Sequence, residues 1–174
     1  LEGRLPGESG CAIAEEMIAT TFRQLGLRSP DGVDEHRDPF EFKQGGRFGA
    51  RKDLKIVTGH NICGVLPGTG DLADEWVILG AHHDHLGRGA FGSRATSGEI
   101  HEGADDNASG TAAVLLAARL LTDLFQGDET ARRSVLFLTF SGEESGLNGS
   151  RHYAEEPLVP LSKTIAMINL DMIG

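Results

Sequence analysis

The sequence predicts an α/β domain, a three-layer sandwich with a mixed, largely parallel central sheet and helices on both faces. Three observations carry this. The runs "EWVILGA", "SVLFLTF" and "TIAMINL" are short and continuously apolar, as strands buried on both faces are. The stretch "NASGTAAVLLAARLLTDLFQG" is strongly helical and apolar enough to lie on a sheet. The segments between the strand-like runs are also long enough for the crossovers that parallel neighbours require. A chain of 174 residues suffices for one such domain. Residues 1–174 are therefore read as a single domain, expected to be incomplete after Gly174 because the chain closes immediately after a strand-like run.

In chain order, "SGCAIAEEMIATTFRQLGL" places Ile13, Met17, Ile18, Phe22 and Leu25 on a helical stripe, with Ser9 as N-cap and Gly26 as stop. Residues 28–53 are polar, Gly-rich and broken by two prolines, so they read as loop with one short strand at Phe40–Lys43. "LKIVTGHNICGVLPG" alternates and closes on a Pro-Gly turn, giving a strand, and "EWVILGA" gives the next. The long helix follows, with Ser109 near its cap and Gly127 at its stop. After "SVLFLTF" comes a short helix within Ser145–Glu156, and then the strand "TIAMINL".

Composition removes some functions. Asp and Glu outnumber Lys and Arg by 26 to 16, for a formal net charge of −10, which repels nucleic acid and anionic lipid and favours cations. No apolar run reaches the ~18 residues of a membrane span. Cys11 and Cys63 form neither a disulfide framework nor a Cys-x-x-Cys pair. "GRGAFG" (Gly87–Gly92) and "GTGDLA" (Gly68–Ala73) imitate dinucleotide loops, but neither opens a helix as that mechanism demands. Without a Gly-x-Ser-x-Gly elbow or a Walker loop, covalent serine catalysis and nucleotide hydrolysis lack their machinery.

What remains is concentrated at strand ends. "WVILGA" runs into His82-His83-Asp84, "VLFLTFSG" into Glu143-Glu144 and "TIAMINL" into Asp171, while Asp105-Asp106-Asn107 leads into the long helix. Ligands of open α/β sheets bind beyond the carboxyl ends of the strands, so these groups are expected to meet. Crowded carboxylates beside buried strands repel one another, at a cost of several kcal/mol each if desolvated unpaired. One or two divalent cations offset that cost. Mixed His/Asp/Glu ligation suits zinc, with manganese or cobalt in the same geometry. Taken alone, Asp106 reads equally well as a helix cap. His83 and His85 read as structural or supporting residues that point away from His82, and His36, His60, His101 and His152 read as surface residues.

The motifs "GAHHDHLG", "GADDNASG", "FSGEESGLNGS" and "INLDMIG" resemble, in order and spacing, those of the M28 family of zinc-dependent metallopeptidases, mostly aminopeptidases with two ions. The resemblance runs from about Asn61 to Gly174. It implies that His82, Asp106, Glu144 and Asp171 are metal ligands, with Asp106 bridging two zinc ions. Glu144 would join His82 on its ion or face it across the pair. It further implies that Glu143 is the general base and that Asp84 orients His82. Members carry a further histidine ligand downstream of "NLDMIG", which is expected beyond Gly174. No space for a protease-associated insert is expected in "QGGRFGARKDLK". The expected substrate is a peptide with a free N-terminus, in a secreted or periplasmic setting, with self-association through an uncovered sheet edge. Carboxypeptidase-like, glutaminyl-cyclase-like and non-catalytic binding roles are the alternatives.

Overall fold

A computed structural model describes residues 2–44, 54–89 and 98–174. Its helices are α1 (Ser9–Gln24), α2 (Gly110–Leu124) and α3 (Asn148–Glu155). The strands are β1 (Arg37–Gln44), β2 (Lys55–Leu66), β3 (Trp76–His82), β4 (Ser134–Phe140) and β5 (Thr164–Asn169). They form one mixed sheet in the order β1-β2-β4-β3-β5. β2 is antiparallel to both β1 and β4, whereas β3 runs parallel to β4 and β5. The parallel part brings the carboxyl ends of three strands to one edge.

The continuous apolar run of β4 is buried at every position. Val135 and Phe137 face α1 and α2, where they pack with Ile18, Phe22, Ile62, Ala81, Val114 and Ala118. Leu136, Leu138 and Phe140 face the other way, onto Cys63, Ile78 and Tyr153 of α3. Alternate side chains of one strand thus feed two cores, which makes three layers. Each large side chain so buried contributes about 1.5–3 kcal/mol.

The structure departs from the expected elements in particular places. Glu8, not Ser9, is the N-cap of α1, with extended backbone and no side-chain cap bond. The buried face of α1 is Cys11, Ala14, Glu15, Ile18, Ala19 and Phe22, while Ile13 and Met17 are half exposed. A stripe counted on large apolar residues misjudged this face, because small residues and a partnered glutamate occupy it. β1 is longer than the short strand expected, since its pairing with β2 extends from Arg37 to Gln44. β5 is exposed along most of its length, not buried, because it is an edge strand paired only with β3. His36 is buried, with Nδ1 2.8 Å from the Cys63 carbonyl, and is not a surface residue. His152 is largely covered as well, its ring stacked on Phe40 and its Nε2 3.3 Å from Asp38. Within "GTGDLA", Gly70–Leu72 forms a single tight turn, while Ala90–Gly92 of the other glycine-rich stretch lie outside the described residues. The same holds for 45–53, where the absence of an insert was read. Among the described residues, no helix is long and apolar enough to cross a membrane.

Candidate metal centre

His82 is the last residue of β3 and is buried. Its Nε2 stands 3.2 Å from Asp106 Oδ1 and 3.5 Å from Asp171 Oδ1. On the ring's other side, Nδ1 lies 3.2 Å from the Asp84 carbonyl and 3.6 Å from Asp84 Oδ1. Thr111 of α2 donates to the His82 carbonyl at 2.9 Å, which fixes the strand end against the helix. Asp84 is wholly buried, and its Oδ1 accepts the Glu143 backbone N–H at 3.1 Å. One carboxylate therefore ties the end of β3 to the turn after β4.

A second group adjoins the first. His85 Nδ1 lies 2.5 Å from Glu144 Oε1 and 4.0 Å from Asp106 Oδ1. In both groups, His82 with Asp106 and Asp171 and His85 with Asp106 and Glu144, the donor atoms lie within 4.8 Å of one another. Asp106 belongs to both. The four residues expected as ligands are thus brought together, His82 grouping with Asp106 and Asp171, and Glu144 with Asp106 and His85. His85 does not point away from the site: the chain leaves the pleat after His82, and strand alternation no longer governs it. His83 does turn away, its Nδ1 3.1 Å from Thr139 Oγ1.

Two contributors carry no sequence signal of their own. Arg4 is buried and donates from Nε to the His83 carbonyl at 2.9 Å, and from its two terminal nitrogens to the carbonyls of Glu102 and Gly103 at 2.7 Å each. It clamps the strand end to the loop that delivers Asp106, from an N-terminal segment that reads as featureless. Asn107, fully buried, donates to the Leu170 carbonyl at 2.9 Å and accepts from Gly110 N at 3.0 Å and Met172 N at 3.3 Å. It joins the start of α2 to the segment bearing Asp171. Its place beside Asp106 in "GADDNASG" was the only available hint.

The electrostatics are those of a centre short of positive charge. Burial, and then the Glu144 carboxylate, raise the pKa of Asp106. Burial likewise raises that of Glu143, with Asp84, Glu144 and Asp171 adding repulsion and His82 opposing. For His82, burial disfavours the imidazolium, but Asp84, Glu143 and Asp171 outweigh it and push the pKa up to about 9. A buried imidazole nitrogen directed at two carboxylates, beside a histidine–glutamate pair sharing one of them, fits divalent cations. Beside the centre opens a cleft of about 230 Å³ lined by His82, Glu143 and Asp171 and by the apolar Phe140, Leu147 and Met167. Larger clefts lie elsewhere, at β1 and α3 and between α1 and α2, but neither gathers such donors.

Fold and donor set together define an α/β protein with a two-part candidate metal centre at the carboxyl edge of its parallel strands. The chain belongs to peptidase family M28, whose sequence profile matches residues 61–174. It is 30% identical over 177 residues to the probable glutamate carboxypeptidase VP8 of Zea mays, covering 97% of this chain and 22% of that protein. To leucine aminopeptidase 1 of Arthroderma otae it is 35% identical over 117 residues, covering 66% of this chain and 29% of that one. The solved structure of Porphyromonas gingivalis glutaminyl cyclase superposes with a TM-score of 0.69 at 26% identity, covering 98% of this chain and 56% of the cyclase. The chain thus spans less than a third of the two curated relatives.

Proposed function

We propose that the protein is a zinc-dependent aminopeptidase, in which His82, Asp106, Glu144 and Asp171 hold two ions and Glu143 moves the proton. The observation that carries this reading is the position of Asp106 in both donor groups, which is what a carboxylate shared by two cations requires. When bound, such ions would supply a Lewis acid for the carbonyl and lower the pKa of a water at the site. The residues do the rest. Asp84 holds the His82 ring from behind, leaving Nε2 to face the centre. Glu143, at the cleft and with its pKa raised by burial, is suited to accept a proton from the attacking water. It returns that proton to the leaving amine as the C–N bond breaks, so the water oxygen ends in the new carboxylate. The apolar cleft walls suit an uncharged side chain at the N-terminal residue.

Leucine anilide, N-acetyl-leucine anilide, a peptide ending in glutamate and a peptide beginning with glutamine test the assignment, with the protein dialysed against chelator and then reloaded with zinc. In the full-length enzyme, hydrolysis of the free leucine substrate alone is expected, abolished by chelator and restored by zinc. Equal cleavage of the blocked substrate, or release of the terminal glutamate, overturns it. Cyclisation of the glutamine peptide without hydrolysis would instead assign the cyclase chemistry of the 26%-identical structural relative.

A further inference from the structure

A second cluster of metal-ligating side chains lies behind the end of β3, between that strand and α1, and the chemistry above makes no use of it. Cys11 and Glu15 sit one turn apart on the buried face of α1, and His83 projects toward them from the strand end. Exposures of 1%, 7% and 1% close the cluster to solvent. Cys11 Sγ is 3.6 Å from Glu15 Oε1, and His83 Nε2 is 3.8 Å from the same oxygen. All three donor atoms lie within 4.8 Å of one another.

Two supports fix the donors in place. Thr139 Oγ1, 3.1 Å from His83 Nδ1, holds the ring so that Nε2 is directed into the cluster. His60 Nδ1, 3.1 Å from Glu15 Oε2, occupies the far oxygen of the carboxylate. His83 Nε2 itself has no hydrogen-bond partner, although it is fully buried. The Cys11 thiol donates a long hydrogen bond to Glu15 Oε1, but His83 Nε2, at 3.8 Å from the same oxygen, stands beyond hydrogen-bonding distance although it is aimed at it. In tetrahedral zinc sites, bonds of about 2.0–2.3 Å set neighbouring ligand atoms roughly 3.3–3.5 Å apart, close to the separations seen here.

We propose that Cys11, Glu15 and His83 form a structural site for a thiophilic divalent cation of the zinc type, separate from the candidate catalytic centre. A cation bound there would balance the Glu15 carboxylate together with the thiolate that its binding forms from Cys11. Burial and the Glu15 carboxylate otherwise push the Cys11 thiol well up, so binding would release its proton. Because the site is closed, the cation enters as the chain folds, and it ties α1 to a strand end on which His82 and Asp84 flank His83.

Cobalt substitution tests this without any assay of turnover. Every donor in the catalytic centre is nitrogen or oxygen, so a sulfur-to-cobalt charge-transfer band in the near ultraviolet reports the new site alone. The cobalt protein is expected to show that band, and Cys11→Ser and His83→Gln to lose it together with one metal per chain by elemental analysis. Cys63→Ala and Asp106→Asn are expected to keep it, the latter separating this site from the peptidase reading. Absence of the band in the unmutated cobalt protein overturns the proposal whatever the variants do. So does its persistence in a folded Cys11→Ser protein, with folding checked by circular dichroism.

Discussion

Replacing Glu15 by Gln should make the protein's stability less sensitive to acid, by an amount the structure fixes. Glu15 is a buried carboxylate on α1; burial works against its charge, but His60 at 3.1 Å and His83 at 3.8 Å outweigh it and lower its pKa from 4.5 to about 2. A pKa lowered by folding contributes stability in full above the unfolded value and loses it as pH falls toward the folded one. The contribution is about 3.5 kcal/mol at pH 7 and roughly 1.5 kcal/mol at pH 3. The stability gap between the unmutated protein and Glu15→Gln should therefore narrow by about 2 kcal/mol between those pH values. Urea unfolding followed by circular dichroism, in chelator so that no metal contributes, measures the gap, and taking the difference cancels the acid response of the other carboxylates. A gap that stays constant within ~0.5 kcal/mol across that range would refute the assignment of this buried charge to Glu15.

Three further outcomes are expected. Glu143→Gln should lower turnover by about 10²–10⁴ while metal content by elemental analysis stays the same, because the residue handles protons; loss of metal would mean that the roles of Glu143 and Glu144 are exchanged. Asp84→Asn keeps an acceptor for the Glu143 N–H but removes the charge behind His82, so calorimetry should show zinc binding about 10–100-fold weaker, and unchanged affinity would leave Asp84 a purely structural residue. Gly110→Ala would drive a Cβ into the Leu170 carbonyl and the Asn107 side chain, so thermal unfolding should register a loss of about 1–3 kcal/mol, with loosened metal retention, and unchanged stability would refute this close packing at the start of α2.

The sequence by itself determined most of the element order and which residues gather at the candidate metal centre. The apolar run "SVLFLTF" is covered on both faces as its composition indicates, although the similar "TIAMINL" lies exposed at the sheet edge, and the helical composition of "GTAAVLLAARLLTDL" fixes a long helix, because period is a local property of the chain. The motif residues His82, Asp106, Glu143, Glu144 and Asp171 were legible for the same reason: each stands at or just beyond a recognisable strand end, or before a recognisable helix, and strand ends converge in such sheets. Tertiary structure alone decided what depends on partners far apart in the chain. It grouped Glu144 with Asp106 and His85, and turned His85 inward once the pleat had ended. It buried Glu15 on α1 while leaving Met17 half exposed, because His60 and His83 arrive from other strands to compensate the charge. It also brought Arg4 across 79 residues to the His83 carbonyl. Hydrophobic period records how much of a segment is covered, but whether a buried charge is tolerated depends on which groups the folded chain sets beside it, and no local pattern encodes that.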